Sequence, residues 1–239
     1  MSENENPKRI WKYYDGCVKL ENYMGGDLAV VNAARVSFNK YVSELKEADI
    51  KLIKYLADNK HMSPFRHVQV TLVLQGIPEF ILRQLYKHQV GIAYTSGEFR
   101  EAATVWNEVS GRYVEFDIDF FEPATFREQD PNNRQASKRD LPIRNEDEVR
   151  RIYKNCIRIM WDTYQELLSI GVCREQARLV LPLSFKTSVV WTASLEALVH
   201  FIKLRDHDGA QVEIQELAKI VHEIVSDLAP VSVKALLGQ

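Results

Sequence analysis

One stretch of ten residues constrains the fold of this chain more than any other. In "HVQVTLVLQG", residues 67–76, apolar side chains occupy positions 68, 70, 72 and 74 and alternate with mostly polar neighbours. A period of two is typical of a β-strand that buries one face. Pro78 then stands where a first helical residue is favoured, and the apolar positions of "PEFILRQLYKHQ" indicate a helix. The sequence therefore predicts a half-buried strand that passes directly into a helix.

Patterns elsewhere in the chain predict more helices than strands. Spacing and end signals predict helices at about 48–59, 146–170, 173–181, 195–205 and 209–228, and alternation predicts strands at 112–121 and 185–193. The segment 122–144 is rich in Pro, Asn, Gln and charge, which indicates a loop-rich excursion. Since no internal repeat or linker divides the chain, residues 1–239 are expected to form a single helix-rich domain of the α+β class.

Composition excludes several classes of function. With 46% hydrophobic residues in 239, the chain can fill a core, and a net charge of −2 gives no general attraction to nucleic acid or to anionic membranes. No run approaches the length of a membrane-spanning helix, and the N-terminus has no apolar signal region. Three widely spaced cysteines fit neither a disulfide framework nor a Cys-x-x-Cys metal site. We therefore expect a cytoplasmic protein without a metal centre.

A polar cluster interrupts the otherwise β-forming stretch "VWNEVSGRYVEF", residues 105–116. Ser110-Gly111-Arg112 supplies a hydroxyl, a close backbone approach and a guanidinium fork, the groups that commonly hold a phosphate. The alternative is an ordinary surface turn with an ion pair between Glu108 and Arg112. The residues alone leave both interpretations open.

Three further polar sets lie on predicted helices or at their ends. They are Gln84, Lys87 and His88 on one helix face, Arg174 and Arg178 one turn apart, and Arg205, His207, Gln211 and Gln215. For the arginine pair the alternative is a solvated helix face, and for His88 it is a structural histidine. Cys173, beside Arg174, is a weak candidate for an activated thiolate.

The pair "RQLYKHQ" and "NEVSGRY", residues 83–89 and 107–113, resembles the signature of the flavin-dependent thymidylate synthases. That signature usually reads Arg-His-Arg, seven residues, then Ser. Further similar blocks, in the same order, are "NAARVSF" (32–38), "HMSPFRH" (61–67), "REQARLVLPL" (174–183) and "VVWTASLEALVHFIKLRDHDGAQVEIQ" (189–215). The resemblance leaves uncovered only the two termini and residues 122–144.

This resemblance implies a fold and a reaction. The fold would be that of the thymidylate synthase-complementing proteins, with a central, mostly antiparallel sheet. The enzyme would be a homotetramer with active sites between subunits, and would transfer a methylene group from methylenetetrahydrofolate to C5 of dUMP. FAD, reduced by NADPH, would supply the hydride, and no cysteine would attack the pyrimidine. Neither nucleic acid nor membrane is an implied partner.

The resemblance also implies roles for individual residues. The dUMP-binding set would be Gln84, Lys87, Glu108, Ser110, Gly111, Arg112 and Arg178. The flavin-binding set would be His61, Ser63, Lys87, His88, Gln89, Glu108, Ser194 and His200. Arg205 would be the catalytic residue, because a permanent cation beside N3 and O2 of uracil favours negative charge on the ring and makes C5 more nucleophilic.

Three departures from the family pattern fall on the flavin side. Arg-His-Arg is replaced by Lys87-His88-Gln89, which removes two guanidinium groups. Twenty residues separate Gln89 from Ser110, so that an insertion lies at about 90–106. The family often has Asn-x-Arg where this chain has Ser194-Leu195-Glu196.

The departures leave several hypotheses open. The insertion could close over the cofactor and place Arg100 near a flavin oxygen or phosphate, or it could be a solvent-exposed excursion. The chain could also be a relative that hydroxymethylates dUMP without reduction, or a nucleotide-binding homologue that has lost flavin.

Overall fold

A computed structural model describes residues 9–88 and 104–239. The strands within these ranges are β1 (Ile10–Tyr13), β2 (Gly16–Met24), β3 (Gln69–Pro78), β4 (Thr104–Glu108), β5 (Arg127–Gln129), β6 (Ser137–Pro142) and β7 (Lys186–Ser194). The helices are α1 (Asp27–Arg35), α2 (Glu47–Asp58), α3 (Glu79–Leu85), α4 (Glu146–Ser169), α5 (Arg174–Ala177), α6 (Leu195–Arg205), α7 (Val212–Leu228) and α8 (Pro230–Leu237). Short 3₁₀ turns occupy Val36–Phe38, Ser63–His67 and Arg178–Val180.

The central sheet has five strands in the order β1-β2-β3-β7-β4, and every neighbouring pair is antiparallel. Strands β3 and β7 lie side by side in its middle, although more than a hundred residues separate them in sequence. The antiparallel sheet that the family resemblance implied is therefore confirmed.

The alternation in β3 reports which face of the sheet is buried. Val70, Leu72 and Leu74 are buried, and Trp191, the partner of Leu72 on β7, is buried with them. Helices α3, α6 and α7 contribute Leu82, Phe201 and Ile214 to the same apolar core. Because residues from both halves of the chain share this core, the sheet and its helices fold as one unit.

Two predictions about the middle of the chain are wrong. Residues 112–121 do not form a strand, since the chain turns after Ser110 and only Phe120 bridges, to Phe185. The aromatic rings in this stretch pack directly on Phe185 and on Trp161 of α4, so their burial needs no sheet. Within the predicted loop 122–144, β5 and β6 form an antiparallel hairpin.

Several predicted element ends also differ from the structure. Helix α3 ends at Leu85, so Lys87 and His88 follow it in a turn and do not lie on a continuous helix face. Helix α7 begins at Val212, and Pro230 starts a further helix, α8. Gln89 and most of the insertion, including Arg100, lie outside the described residues, whereas Thr104–Trp106 begin β4. In the part of the chain that is described, no helix has the length and apolar character needed to span a membrane.

Candidate active site

The candidate residues lie at two ends of the central sheet. Near one end, Pro78 pairs with Lys186 and Glu108 pairs with Val189. At the other end, Gln69 pairs with Ser194. Five residues of β7 separate Val189 from Ser194, and at about 3.3 Å per residue this separation is about 17 Å. The loop after Glu108 and the Ser194 end are therefore apart along the sheet within a single chain.

The loop after β4 carries the polar cluster that sequence analysis singled out. Val109 N–H donates to the Ser188 carbonyl at 3.0 Å, which holds the start of the loop on β7. The Ser110 carbonyl then accepts from Tyr113 N–H at 3.0 Å, and the Ser110 hydroxyl accepts from Arg112 N–H at 3.3 Å. Ser110 thus organises a tight turn that displays both its hydroxyl and the Arg112 side chain.

Gly111 is buried in this turn and packs too closely to carry a side chain. A Cβ atom at Gly111 would lie 2.3 Å from Phe116 Cε2 and 3.3 Å from Arg178 Cδ. Because the turn rests against Arg178, the structure brings together Ser110, Gly111, Arg112 and Arg178 of the predicted dUMP set.

The alternative ion pair between Glu108 and Arg112 is not formed. Arg112 Nε instead lies 3.5 Å from Glu175 Oε2, and both side chains are more than half exposed. Such an exposed pair contributes little to stability, so the Arg112 guanidinium remains able to bind a ligand. Arg174 turns away from Arg178 and donates to Glu115 at 3.1 Å.

Glu108 belongs to a cluster of acidic and phenolic groups. Tyr86 Oη donates to Glu108 Oε2 at 2.8 Å. Burial and the adjacent Glu108 carboxylate raise the pKa of Glu79 to about 7. A second carboxylate beside Glu79 disfavours its charged form, so Glu79 keeps its proton up to near neutral pH. Sequence analysis missed Glu79 and Tyr86, because their proximity to Glu108 depends on the positions of β3 and β4 on either side of β7.

Arg205 is held by the histidine of the altered Arg-His-Arg motif. Arg205 Nε–H donates to His88 Nε2 at 2.9 Å, so His88 must carry its proton on Nδ1. Burial, Arg205 and His200 together lower the pKa of His88 to about 4. The His88 ring stands edge-on to Phe201 at 5.0 Å, which fixes its plane. His88 is therefore a neutral acceptor that orients the Arg205 guanidinium.

Gln84 links this region to the start of α7. Its side-chain amide donates to Gln211 Oε1 at 2.7 Å, and Gln211 in turn donates to Glu213 at 3.0 Å. Glu213 is buried and also accepts from Arg127 on the β5–β6 hairpin at 2.7 Å. His207 serves a different purpose, since its Nδ1 accepts from Gly209 N–H and closes the turn before α7.

Three predicted flavin-binding residues, His61, Ser63 and Ser194, lie at the opposite end of the sheet, whereas Lys87, His88 and Glu108 lie with the nucleotide set. Ser63 begins a 3₁₀ turn and is exposed, as is His61, whose ring stands 6.1 Å from Tyr55. Ser194 is fully buried, and its hydroxyl accepts from Ala197 N–H at 3.3 Å. Ser194 therefore caps α6 and positions the start of that helix.

Comparisons with known proteins show the family of this chain. The family model described as "Thymidylate synthase complementing protein" matches residues 19–231. The flavin-dependent thymidylate synthase of Thermus thermophilus is 36% identical over 228 residues, which cover 95% of this chain and 78% of that protein. The enzyme of Kosmotoga olearia is also 36% identical, over 226 residues that cover 93% and 90%. The chain belongs to the flavin-dependent thymidylate synthase family.

A solved structure extends the comparison to three dimensions. The UMP/dUMP methylase PolB from Streptomyces cacaoi, bound with 5-Br dUMP, has a TM-score of 0.79 to this chain at 30% identity. The alignment covers 94% of this chain and 95% of PolB. Membership of the flavin-dependent thymidylate synthase family makes the chain a flavin-dependent methyltransferase.

The residues near Ser194 are suited to a flavin despite the altered motif. A flavin dinucleotide requires cations for its phosphates and planar or polar groups for its ring. The Ser194 end of the sheet offers the Arg66 guanidinium, the Ser63 hydroxyl and the His61 imidazole. His200 adds a second imidazole 6.5 Å from His88. The donor set thus fits an anionic, aromatic cofactor.

Proposed function

We propose that this chain methylates dUMP to dTMP, with methylenetetrahydrofolate as the carbon donor and FAD, reduced by NADPH, as the hydride carrier. The observation that carries the proposal is the Arg205 guanidinium, which a neutral His88 holds at 2.9 Å in a half-buried position. The family match and the likeness to a dUMP methylase support the same reaction.

Arg205 would act on the uracil ring. Its Nε–H is used by His88, so the terminal nitrogens are the donors left to face O2 and N3 of the base. A partly buried cation stabilises negative charge more strongly than an exposed one. Charge that accumulates on the ring makes C5 nucleophilic, and C5 can then accept the methylene group and lose its proton. Bound flavin, once reduced by NADPH, would supply the hydride that reduces this group to methyl.

The turn at Ser110–Arg112 would bind the phosphate of dUMP. The Ser110 hydroxyl, the backbone beside Gly111 and the Arg112 guanidinium offer three kinds of donor within three residues. Arg178, packed against Gly111, adds a second guanidinium on the same side. Gln84 and Lys87 would complete the nucleotide site from the end of α3, and Glu108 would accept hydroxyl donors between nucleotide and flavin.

We infer a homotetramer with active sites between subunits, and the separation of the two sets supports this inference. About 20 Å along β7 separates Ser188, which holds the start of the phosphate turn, from Ser194, which lies beside the Ser63 turn. Nucleotide and flavin must meet for methyl transfer, so different chains would supply the two halves of each site. The three cysteines are free, which fits a reducing cytoplasm.

Spectroscopy on the purified protein tests the proposal. We expect a flavin absorbance spectrum that NADPH bleaches in the absence of oxygen, and that returns when dUMP and methylenetetrahydrofolate are added together. If the flavin absorbance returned when either one of the substrates was omitted, methyl transfer would not be the step that reoxidises the flavin. A protein that binds dUMP but cannot be loaded with flavin would instead be a nucleotide-binding homologue.

A further inference from the structure

At Glu196, where the chain departs from the family pattern, a cation from a different element, Arg66, contacts the acid. Glu196 lies in the first turn of α6, where the family often has arginine, and its side chain is 11% exposed. The Arg66 guanidinium covers it, with Nε donating to Glu196 Oε2 and Nη2 donating to Oε1 at 3.3 Å. A guanidinium is therefore present next to position 196, although residue 196 is an acid.

The backbone on both sides of this pair is fixed. Arg66 is near the end of the Ser63–His67 turn, and its carbonyl accepts from Gln69 Nε2 at 2.8 Å. Gln69 pairs with Ser194 in the sheet, and Leu195 N–H donates to the Val68 carbonyl at 2.9 Å. The start of α6 and the 3₁₀ turn are thus held together, and Arg66 projects from a rigid support.

We propose that Arg66 replaces the arginine missing at position 196 and binds the diphosphate of the flavin cofactor, with Glu196 orienting its guanidinium. The proposal rests on the flavin dependence in the proposed function. Arg66 is 45% exposed, and its Nη1 makes no hydrogen bond to any residue in the described ranges, so this nitrogen can reach a ligand.

Electrostatics favours this role over a purely structural ion pair. A helix N-terminus attracts phosphate, but an unpaired Glu196 in the first turn of α6 would repel it. Pairing with Arg66 neutralises that carboxylate and turns the remaining guanidinium N–H groups outward. The same ion pair therefore removes an obstacle to the diphosphate and supplies a donor for it.

The experiment compares two flavins that differ in phosphate. Apoprotein is titrated with FAD and with riboflavin, and binding is followed by quenching of flavin fluorescence. Arg66→Gln should weaken FAD by about tenfold or more, because a charge-assisted hydrogen bond is lost, and should leave riboflavin unchanged. Arg158→Gln is the control, since it removes the same type of side chain from a more exposed ion pair, that of Arg158 with Asp162 on α4. It should change neither affinity.

A charge reversal separates ligand binding from simple loss of the ion pair. The double variant Arg66→Glu, Glu196→Arg keeps the pair and returns the cation to position 196. It should recover most of the FAD affinity, whereas Arg66→Glu alone should bind FAD more weakly than Arg66→Gln. Thermal midpoints and circular dichroism verify that each variant is folded.

The outcomes are distinguishable from failure of the proposed function. Wild-type FAD affinity in Arg66→Gln, or equal losses for FAD and riboflavin, would overturn the role of Arg66 while leaving the enzyme a flavoprotein. Wild-type apoprotein that binds no FAD at all would overturn both. None of these measurements depends on turnover.

Discussion

At the scale of single residues, Arg205 combines a permanent charge with a fixed direction. Burial lowers its pKa, but an arginine remains protonated under any condition in which the protein is folded. His88 accepts from its Nε, and Phe201 holds the His88 ring edge-on. A group prepared in this way loses little energy to reorganisation when charge develops on a substrate.

Arg205→Ala should abolish most turnover without unfolding the protein. We expect kcat to fall by about 10²-fold or more, because removal of one preorganised electrostatic group commonly costs that much. Lys203→Ala, on the exposed side of the same helix, is the matched control and should retain wild-type kcat. Steady-state kinetics with dUMP measures both. A variant Arg205→Ala with near wild-type kcat would refute the assigned role.

Glu79 should make the free energy of unfolding fall as pH rises, whereas a paired surface acid with a lowered pKa makes it rise. Its pKa is about 7 in the folded protein against an ordinary value of 4.5, raised by burial and by Glu108. The folded state therefore keeps a proton that the unfolded state loses, and stability falls as pH rises between these values. Glu79→Gln should remove this loss and be more stable than wild type by about 1–2 kcal/mol at pH ~8, and nearly equal at pH ~5.

Thermal unfolding at fixed protein concentration measures the Glu79 effect. The comparison must be made at both pH values, because a general stabilisation by glutamine would appear at each of them. The same difference between variant and wild type at the two pH values would show that Glu79 is an ordinary solvated acid.

At the scale of elements, the sequence predicted well where one face of an element is apolar. Strand β3 alternates over eight residues because one face packs on α3, α6 and α7, and the predicted strand at 185–193 is β7. Helix α4 was equally clear, since its 24 residues follow a helical period.

Elements stabilised by charge gave no such pattern. The β5–β6 hairpin is anchored by Arg127 to Glu213 and by Lys138 to Glu128, so its residues look like a solvated loop in the sequence. The strand predicted at residues 112–121 was wrong for the opposite reason, because an apolar pattern is present without a strand. Phe116 and Phe120 alternate as in a strand, yet they pack on Phe185 from an irregular chain.

The candidate site also contains residues that the sequence could identify and contacts that it could not. Ser110, Gly111, Arg112 and Arg178 could be proposed from sequence blocks, and the structure brings these four together. The residues that contact the candidate site residues could not be predicted from the sequence, because each of these contacts joins elements that are distant in the chain. Tyr86 meets Glu108 only through the strand order, and Arg66 meets Glu196 only where the 3₁₀ turn contacts α6.

The turn after β4 should discriminate a nucleotide from a nucleoside. Ser110→Ala and Arg112→Ala are expected to weaken dUMP by about 1.5–3 kcal/mol each, the value of a charge-assisted hydrogen bond, and to leave deoxyuridine unaffected. Arg151→Ala, which removes an exposed ion pair on α4, is the control. Calorimetric titration measures both ligands. Equal losses for dUMP and deoxyuridine would move these residues away from the phosphate.

At the scale of the whole molecule, one chain carries the proposed nucleotide half and the proposed flavin half of a site at different ends of its sheet. If neighbouring chains bring these halves together, two defective variants should complement each other. Arg112→Ala damages the nucleotide end and His61→Ala the flavin end, so mixed oligomers contain some sites in which both residues are intact.

Co-expression with two affinity tags tests this complementation. The mixed oligomers should show turnover well above that of either variant purified alone. If a single chain supplied both residues to one site, every site would retain a defect, and the mixture would be no more active than its parents.

The central claim is that the chain adds a fully reduced carbon to dUMP. Mass spectrometry of the nucleotide after incubation with FAD, NADPH, methylenetetrahydrofolate and dUMP tests it most directly, with Arg205→Ala as the inactive control. The account predicts a product heavier than dUMP by one CH₂, and none when the folate or the NADPH is omitted. A product that gains CH₂O, or unchanged dUMP from flavin-loaded protein, would contradict it.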